Sequence, residues 1–332
     1  MLPINFLNRS ILDSIGNTPL LEMNLEYNDE NWHFYAKLEF LNPSGSIKDR
    51  IAKHVLELAE HNREIKPDSI IIEATSGNTG ISFAMVCAVK GYRCIIVMPE
   101  NMSVERQKII TMFGAEICLT PQNEFYQGAM QRTRQMSKLN PKVFLPRQFE
   151  NPDDVQCHHQ TTGQEIIEQM PQIKIDAFVA GIGTGATLMG VIKRLRQAYP
   201  DCKAIAVEPK ESAVLNGCKN PESHQIPGIG AGFIPALIDT SQIDWCEPIP
   251  SQDALAITRQ ISRKLGMMVG VSSGANILAT INVLNKIGKD KTVVTVLPDR
   301  SERYFSTDLY QGKKDEIIRN CRHCCENPFC AD

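Results

Sequence analysis

The sequence predicts an α/β protein built from two open, twisted parallel sheets. Two stretches of the chain alternate short apolar segments with helical patterns, one beginning at Ser69 and the other at Asp176. The apolar segments contain almost no polar residues, as expected for parallel strands that helices cover on both faces. Two such units predict two domains with a cleft between them, and ligands of open α/β sheets bind beyond the carboxyl ends of the strands.

The apolar runs and the glycines divide each unit into elements. In the first unit one helix ends at Gly91 and the next, over 103–113, is followed by Gly114. Glycine directly after a helix is typical of a helix C-terminus. Strands are predicted at 70–72, 94–98 and 117–119 in the first unit, and at 176–180 and 204–207 in the second, on either side of a helix that ends near Tyr199.

Composition excludes several classes of function. The formal net charge is −3 and the 35 lysines and arginines form no runs, so the chain lacks the basic surface that nucleic acids and anionic membranes require. No apolar run is long enough to span a bilayer, and no apolar leader follows Met1. We therefore expect a cytoplasmic protein that acts on small molecules.

An amine lies on the apolar side of the predicted helix 46–60. On a helical wheel of about 100° per residue, Lys48 falls in the middle of the apolar arc, whereas Asp49 and Arg50 lie on the polar side. A buried lysine loses its charge by lowering its pKa, which makes it a candidate for Schiff-base formation. The alternative is that Lys48 extends to the surface. The arc consists of Ile51, Ala52, Val55, Leu58 and Ala59.

Two glycine-containing turns follow predicted strands. The turn 75–80 (TSGNTG) precedes a helix, and backbone N–H groups at a helix N-terminus bind anions; a capping turn without a ligand is the alternative. The turn 181–187 (GIGTGAT) fits a dinucleotide fingerprint, with Glu208 where a ribose-binding acid would stand. Thr184 and Thr187 instead offer hydroxyls that suit a phosphate monoester. A nicotinamide-dependent oxidoreductase is therefore an open alternative at this point.

The segment 42–50 (NPSGSIKDR) resembles the lysine motif of the O-acetylserine sulfhydrylase and cystathionine β-synthase group of fold type II pyridoxal phosphate enzymes. The turns 75–80, 181–187 and 270–275 resemble three further motifs of this group, in the same order. The resemblance extends from Ile11 to Tyr310. It implies the tryptophan synthase β-like fold, with the active site in the cleft between two α/β domains.

The resemblance also implies roles for individual residues. Lys48 would carry pyridoxal 5′-phosphate and act as the general base, Asn78 would bond the ring hydroxyl, and Ser272 would bond the pyridine nitrogen. Ala186 replaces a glycine of the family's phosphate turn, which costs little if φ is negative there. The implied cofactor-binding residues are Lys48, Asn78, Gly183, Thr184, Gly185, Ala186, Thr187 and Ser272, and the implied substrate-binding residues are Thr75, Ser76, Gly77, Asn78, Thr79, Gln148 and Gly230.

The implied reaction is a β-replacement in which sulfide displaces the acetoxy group of O-acetyl-L-serine, through an aminoacrylate intermediate, to give L-cysteine. Ala231 and Gly232 stand where cystathionine β-synthases carry Tyr-Asp, which favours sulfide over homocysteine. The loop 228–235 has no arginine, which favours O-acetylserine over O-phosphoserine. Arg300, followed by Ser301 in place of the usual glycine, keeps phosphoserine open. A homologue that binds a partner without catalysis is a third alternative.

The predicted organisation is an N-terminal domain of residues 1–150, which carries the lysine and the asparagine turn, and a C-terminal domain of residues 151–312, which carries the phosphate turn. Residues of about 11–38 are candidates for packing with the second domain. Resemblance to the family also implies a homodimer and docking of a serine acetyltransferase.

Residues 313–332 form a cysteine-rich tail with the spacing C-x-x-C. A metal site, a redox-sensing thiol and an unligated tail are all open there, and we assign no metal ligand. The remaining cysteines are expected to be reduced thiols, mostly in the core. The tail's candidate ligands are Cys321, His323, Cys324, Cys325 and Cys330.

Overall fold

The computed structural model describes residues 10–75, 77–100 and 102–310. The strands in this part of the chain are β1 Leu20–Tyr27, β2 Glu30–Lys37, β3 Ile70–Ala74, β4 Arg93–Pro99, β5 Glu116–Thr120, β6 Val143–Phe144, β7 Ala177–Gly181, β8 Lys203–Pro209, β9 Trp245–Ile249 and β10 Val293–Val296. The α-helices are α1 Lys48–His61, α2 Asn78–Lys90, α3 Val104–Met112, α4 Phe125–Leu139, α5 Asp153–Gln160, α6 Thr162–Gln169, α7 Ala186–Ala198, α8 Ser251–Leu265 and α9 Val271–Ile287. None of these described helices is long and apolar enough to cross a membrane.

The first sheet has four parallel strands in the order β5-β4-β3-β6. Alternate residues of its central strands enter two different clusters. Ile71 and Ile96 pack with residues of α1 and α2, whereas Ile72 and Val97 pack with Ala129 of α4. Helices therefore cover both faces, which is why these strands read as continuous apolar runs. The predicted α/β class with open sheets is confirmed.

The second sheet has six strands in the order β1-β2-β10-β7-β8-β9 and is mixed. Strands β2 to β9 of this order are parallel, but β1 and β2 form an antiparallel hairpin at one edge. Asn28 and Asp29 both have positive φ, as a two-residue hairpin turn requires. The sequence analysis did not predict this hairpin, because β1 is buried on one face only, through Met23 and Leu25. The domain boundaries at 150 and 312 stay a prediction.

In each sheet, strands that come later in the chain lie on both sides of one strand. β3 lies between β4 and β6, and β7 lies between β8 and β10. At such a switch point the connections leave on opposite sides and open a crevice beyond the carboxyl ends of the strands. The turns that follow β3 and β7 are the two glycine-containing turns of the sequence analysis.

Buried ion pairs hold the first turn of α1. Arg50 is 3% exposed, and its Nε donates to Glu39 Oε2 at 2.7 Å while its Nη1 donates to Glu165 Oε1 at 2.6 Å. Lys37 Nζ lies 2.7 Å from Glu165 Oε2. Because a buried charge is tolerated only with partners, these contacts determine where the guanidinium can lie.

The expectation that Asp49 and Arg50 occupy a polar side opposite the apolar arc is misleading for the first turn, since both are buried. Asp49 accepts hydrogen bonds from Ser44 N at 2.7 Å and from Ser82 Oγ at 2.6 Å. Burial raises the pKa of Asp49, and these hydrogen bonds oppose that shift. A helical wheel describes one helix, and the partners of these charges come from other elements.

We expect Arg50→Ala to lower the free energy of unfolding by about 3–5 kcal/mol, because it leaves the carboxylates of Glu39 and Glu165 buried without their main partner. Urea unfolding at pH 7 measures this loss. The control is Arg93→Ala, which breaks an ion pair with Glu116 whose side chains are both more than half exposed. It should leave the midpoint unchanged. Equal losses in the two variants would contradict the importance of burial.

Candidate active site

The turns at the carboxyl ends of both sheets line a cavity of about 400 Å³. Twelve of the predicted site residues line it. Ala186 does not, and Ser76 lies outside the described residues. The twelve are Lys48, Thr75, Gly77, Asn78, Thr79, Gln148, Gly183, Thr184, Gly185, Thr187, Gly230 and Ser272.

Lys48 is the first residue of α1 and faces this cavity. Burial lowers the pKa of its amine, and the negative charges of Asp154 and Asp299 oppose that shift. The positive end of the α1 dipole also disfavours an ammonium at this position. The amine is thereby suited to act as a nucleophile and as a base.

The asparagine turn joins β3 to α2. Gly77 is the residue before the helix, and Asn78 is its first residue. Thr79 Oγ1 donates to Gln148 Oε1 at 2.7 Å, and Gln148 Nε2 donates to Ala74 O at 3.0 Å. These bonds hold the Gln148 carboxamide against the end of β3. The turn therefore presents a helix N-terminus and ordered polar side chains to the cavity, as an anion site requires.

The turn between β7 and α7 requires glycine at two positions, because other parts of the chain pack closely against it. A Cβ on Gly183 would lie 2.3 Å from the carbonyl oxygen of Gly228, and Gly185 has φ +88°, so both positions favour glycine. Ala186 is not among the residues with positive φ, so its methyl group adds no strain. Its N–H donates to Thr184 Oγ1 at 3.4 Å. The bare N–H groups and hydroxyls suit a phosphate group.

His158 contacts this turn through Thr187. It is fully buried on α5, with Nδ1 2.9 Å from Thr162 Oγ1 and Nε2 3.3 Å from Thr187 Oγ1. Burial, together with the positive charges of Lys48 and Arg50, holds its pKa well below the usual value near 6.5. The imidazole is therefore neutral and orients the Thr187 hydroxyl without adding charge beneath the turn.

The loop around Gly230 is held by one histidine tautomer. His224 Nδ1 accepts from Ile226 N at 3.3 Å, so Nε2 carries the hydrogen and donates to Gly230 O at 2.9 Å. Gly230 N in turn donates to Ile182 O at 2.9 Å. The loop is thus bonded to the phosphate turn. Ser272, the second residue of α9, also lines the cavity.

Several cavity residues were missed in the sequence analysis. Arg106, Phe149 and Tyr304 line the cavity although they belong to no glycine-containing turn. The Arg106 guanidinium lies 5.1 Å from the centroid of the Tyr304 ring. Tyr304 lies three residues after Ser301, the position that was compared with the family's usual glycine, and this comparison was the available signal. For Arg106 no local pattern indicates that its helix borders the cavity.

Two other residues considered in the sequence analysis, Arg300 and Glu208, do not have the contacts expected of them. Arg300, considered for an anionic substrate, donates its Nε–H to Phe40 O at 2.9 Å and is not among the residues that line the cavity. Glu208, considered as a ribose-binding acid, is 1% exposed and accepts from Leu215 N and from Cys246 Sγ. It therefore holds the chain after β8 rather than facing a ligand. The predicted tail at 313–332 lies outside the described residues.

Comparison with known proteins agrees with this geometry. The profile of the family described as "Pyridoxal-phosphate dependent enzyme" matches residues 11–299. A cysteine synthase of Staphylococcus aureus is 44% identical over 301 residues, which are 91% of this chain and 96% of the relative.

Two solved structures are also similar. The cysteine synthase of Entamoeba histolytica has a TM-score of 0.87 at 41% identity, covering 95% of this chain and 94% of that one. A hydrogen sulfide-producing enzyme of Fusobacterium nucleatum has a TM-score of 0.88 at 39% identity, covering 91% of each chain.

The chain belongs to the family of pyridoxal-phosphate dependent enzymes. The prediction of a pyridoxal phosphate enzyme of cysteine synthesis is confirmed at this level, and the alternative of a nicotinamide-dependent oxidoreductase is wrong. The residues present fit the cofactor: an amine of lowered pKa at Lys48, the Thr184 and Thr187 hydroxyls at the N-terminus of α7 for a phosphate, and the Ser272 hydroxyl at a helix N-terminus.

The neutral state of His158 predicts a pH dependence of stability. Its folded-state pKa is depressed, so the stability it contributes is present above the unfolded pKa near 6.5 and is lost as the pH falls below it. Between pH 7 and 5.5 the wild type should lose about 1 kcal/mol more free energy of unfolding than His158→Gln. Denaturant unfolding at both pH values measures this difference. His61→Gln, which removes an exposed imidazole, is the control, and parallel pH curves for wild type and His158→Gln would contradict the assignment.

Proposed function

We propose that the chain catalyses formation of L-cysteine from O-acetyl-L-serine and sulfide. The observation that carries this proposal is that the Lys48 amine, the phosphate turn and the asparagine turn all border one cavity. An enzyme that activates an amino acid on pyridoxal phosphate needs these three features together: an amine, a phosphate site and a carboxylate site.

Different parts of the cavity would bind the cofactor and the substrate. The turn 183–187 would hold the cofactor phosphate, and Ser272 its ring nitrogen. Thr75, Asn78 and Gln148 border the space that a substrate α-carboxylate would take at the N-terminus of α2. The bound cofactor supplies an electron-withdrawing group next to the substrate α-carbon.

Lys48 would then move the proton. Its lowered pKa favours the neutral amine more than in an exposed lysine, so it would take the α-proton of the substrate and later return it. The attraction of Asp154 and Asp299 keeps the protonated form accessible, so that the same group serves in both directions.

The position of the Arg106 guanidinium in the cavity favours O-acetylserine over O-phosphoserine. Arg106 lies beside the asparagine turn: its Cζ would be 3.9 Å from a Cβ on Gly77. This charge is next to the proposed carboxylate site, where either substrate would use it. Arg300 bonds Phe40 O instead of facing the cavity. The uncharged acetyl group needs no second cation.

The proposed nucleophile follows from residues 230 and 231, which border the cavity. Ala231 has only a methyl group and Gly230 has no side chain, so these two positions offer no polar or charged side chain to the amino-acid end of homocysteine. Sulfide needs no such group. A homodimer, docking of a serine acetyltransferase and a division into domains 1–150 and 151–312 are further proposals that rest on the family resemblance.

We expect Lys48→Ala to lose the visible absorbance of the lysine-bound cofactor and to lower kcat by at least about 10³-fold, because both the covalent attachment and the base are removed. Absorbance spectra and cysteine formation from O-acetylserine and sulfide measure these changes. Lys53→Ala on the same helix is the control, since Lys53 Nζ donates to Leu12 O away from the cavity. Retention of absorbance and activity in Lys48→Ala would contradict the proposal.

The substrate assignment is tested separately on the wild type. We expect kcat/KM for O-acetylserine to exceed that for O-phosphoserine, and sulfide to be preferred over homocysteine, each by at least about tenfold, which corresponds to roughly 1.4 kcal/mol of discrimination. The initial rates of the four substrate combinations provide the measurement. A preference for phosphoserine or for homocysteine would replace the corresponding half of the proposal.

A further inference from the structure

The Asn78 side chain is held at both ends by residues from the other side of the cavity. Its Nδ2 donates to Asp299 Oδ2 at 2.6 Å, and its Oδ1 accepts from Arg303 Nη1. Asn78 begins α2 on the four-stranded sheet, whereas Asp299 and Arg303 follow β10 of the six-stranded sheet. The contacts therefore join the two halves of the cleft.

These two partners allow one orientation of the carboxamide. A carboxylate only accepts hydrogen bonds and a guanidinium only donates them. Rotating the Asn78 amide by 180° would put two acceptors together at Asp299 and two donors together at Arg303. An asparagine with ambivalent partners could adopt either orientation. Here the amide oxygen is committed to Arg303, and one of the two Nδ2 hydrogens is committed to Asp299.

The partners are themselves fixed. Asp299 is 1% exposed, and its Oδ2 also accepts from the Tyr304 hydroxyl. Its backbone forms a bridge with Ser46. Arg303 is 4% exposed, and its Nη2 donates to Ser44 O at 2.8 Å. Since buried, multiply bonded groups cannot rotate without losing partners, the orientation of Asn78 is fixed before any ligand binds.

We propose that Asp299 and Arg303 are positioning residues that fix Asn78 as a hydrogen-bond donor toward the cofactor. The second Nδ2 hydrogen is available to a ligand, so the atom that meets Asn78 must be an acceptor, such as an ionised ring hydroxyl. This inference rests on the proposed function only in taking pyridoxal phosphate as the ligand of the cavity, and it is independent of which electrophile or nucleophile the enzyme uses.

The test is a double-mutant cycle read out as cofactor affinity. Cofactor is removed from the purified holoenzymes with hydroxylamine, and pyridoxal phosphate is titrated back while absorbance is recorded, without substrates. We expect Arg303→Leu and Asp299→Ala each to raise Kd by at least about tenfold, because each removes one of the two restraints on the amide. Arg303→Lys keeps a cationic donor and should recover most of the affinity.

The cycle separates positioning from a merely structural effect. In an Asn78→Ala background, Arg303→Leu and Asp299→Ala should change Kd less than about twofold, since the group that Arg303 and Asp299 orient is gone. Equal effects with and without Asn78, or unchanged affinity in both single variants, would overturn the inference. Thermal unfolding of each apoprotein identifies a variant that fails to fold, and the cycle with the other of the two variants then supplies the test. Failure of the proposed substrates would leave these affinities unaffected.

Discussion

The buried guanidinium of Arg50 determines where α1 begins, and the position of the active-site amine follows from it. Arg50 bonds Glu39, which precedes α1, and Glu165, which lies on α6. Moving this charge away from either carboxylate would leave that carboxylate buried without its main partner, which is costly in a medium of low dielectric constant. Lys48 is two residues earlier on the same turn. Its amine is therefore placed at the cavity by electrostatic constraints that lie behind it, rather than by its own contacts.

The same turn carries opposing influences on the Lys48 amine. Burial and the helix dipole favour the neutral form, whereas Asp154 and Asp299 favour the ammonium. Asp154 is itself 1% exposed, and burial raises its pKa, so it does not act as a permanent full negative charge. An amine that must act as nucleophile, base and acid in one cycle benefits from this balance, because a strongly stabilised form of either kind would block one of the steps.

The sequence predicted those parts of the site that depend on residues close together along the chain. The helical period made Lys48 a candidate, with extension to the surface as the alternative, and the family resemblance favoured the active-site role. The turn 181–187 was identified from its glycines and the preceding strand. The identity of that turn's ligand was not decided locally, since Glu208 fits a ribose-binding pattern although its carboxylate bonds Leu215 N and Cys246 Sγ. The two threonine hydroxyls of the turn suited a phosphate monoester, and the order of four motifs, read as a family resemblance, favoured it over the dinucleotide.

What the sequence could not predict involves partners that are distant along the chain. Asp49 and Arg50 look like surface residues on a helical wheel, and nothing near them indicates that Glu165 will meet the guanidinium. Arg106 reaches the cavity because α3 packs beside the asparagine turn and the Tyr304 ring. The hairpin β1-β2 joins β10, a strand more than 250 residues away. Each of these contacts is specified by tertiary packing, which local periodicity does not encode.

The cleft is built so that neither half is complete without the other. The four-stranded side supplies Lys48 and Asn78, and the six-stranded side supplies the phosphate turn, Ser272 and the pair that orients Asn78. Hydrogen bonds across the cleft have to be formed when the halves pack, so their geometry is settled during folding and not when a ligand binds. Organisation of this kind lowers the cost of ordering polar groups around a ligand, which is the main energetic requirement of a site that must hold a cofactor and still release a product.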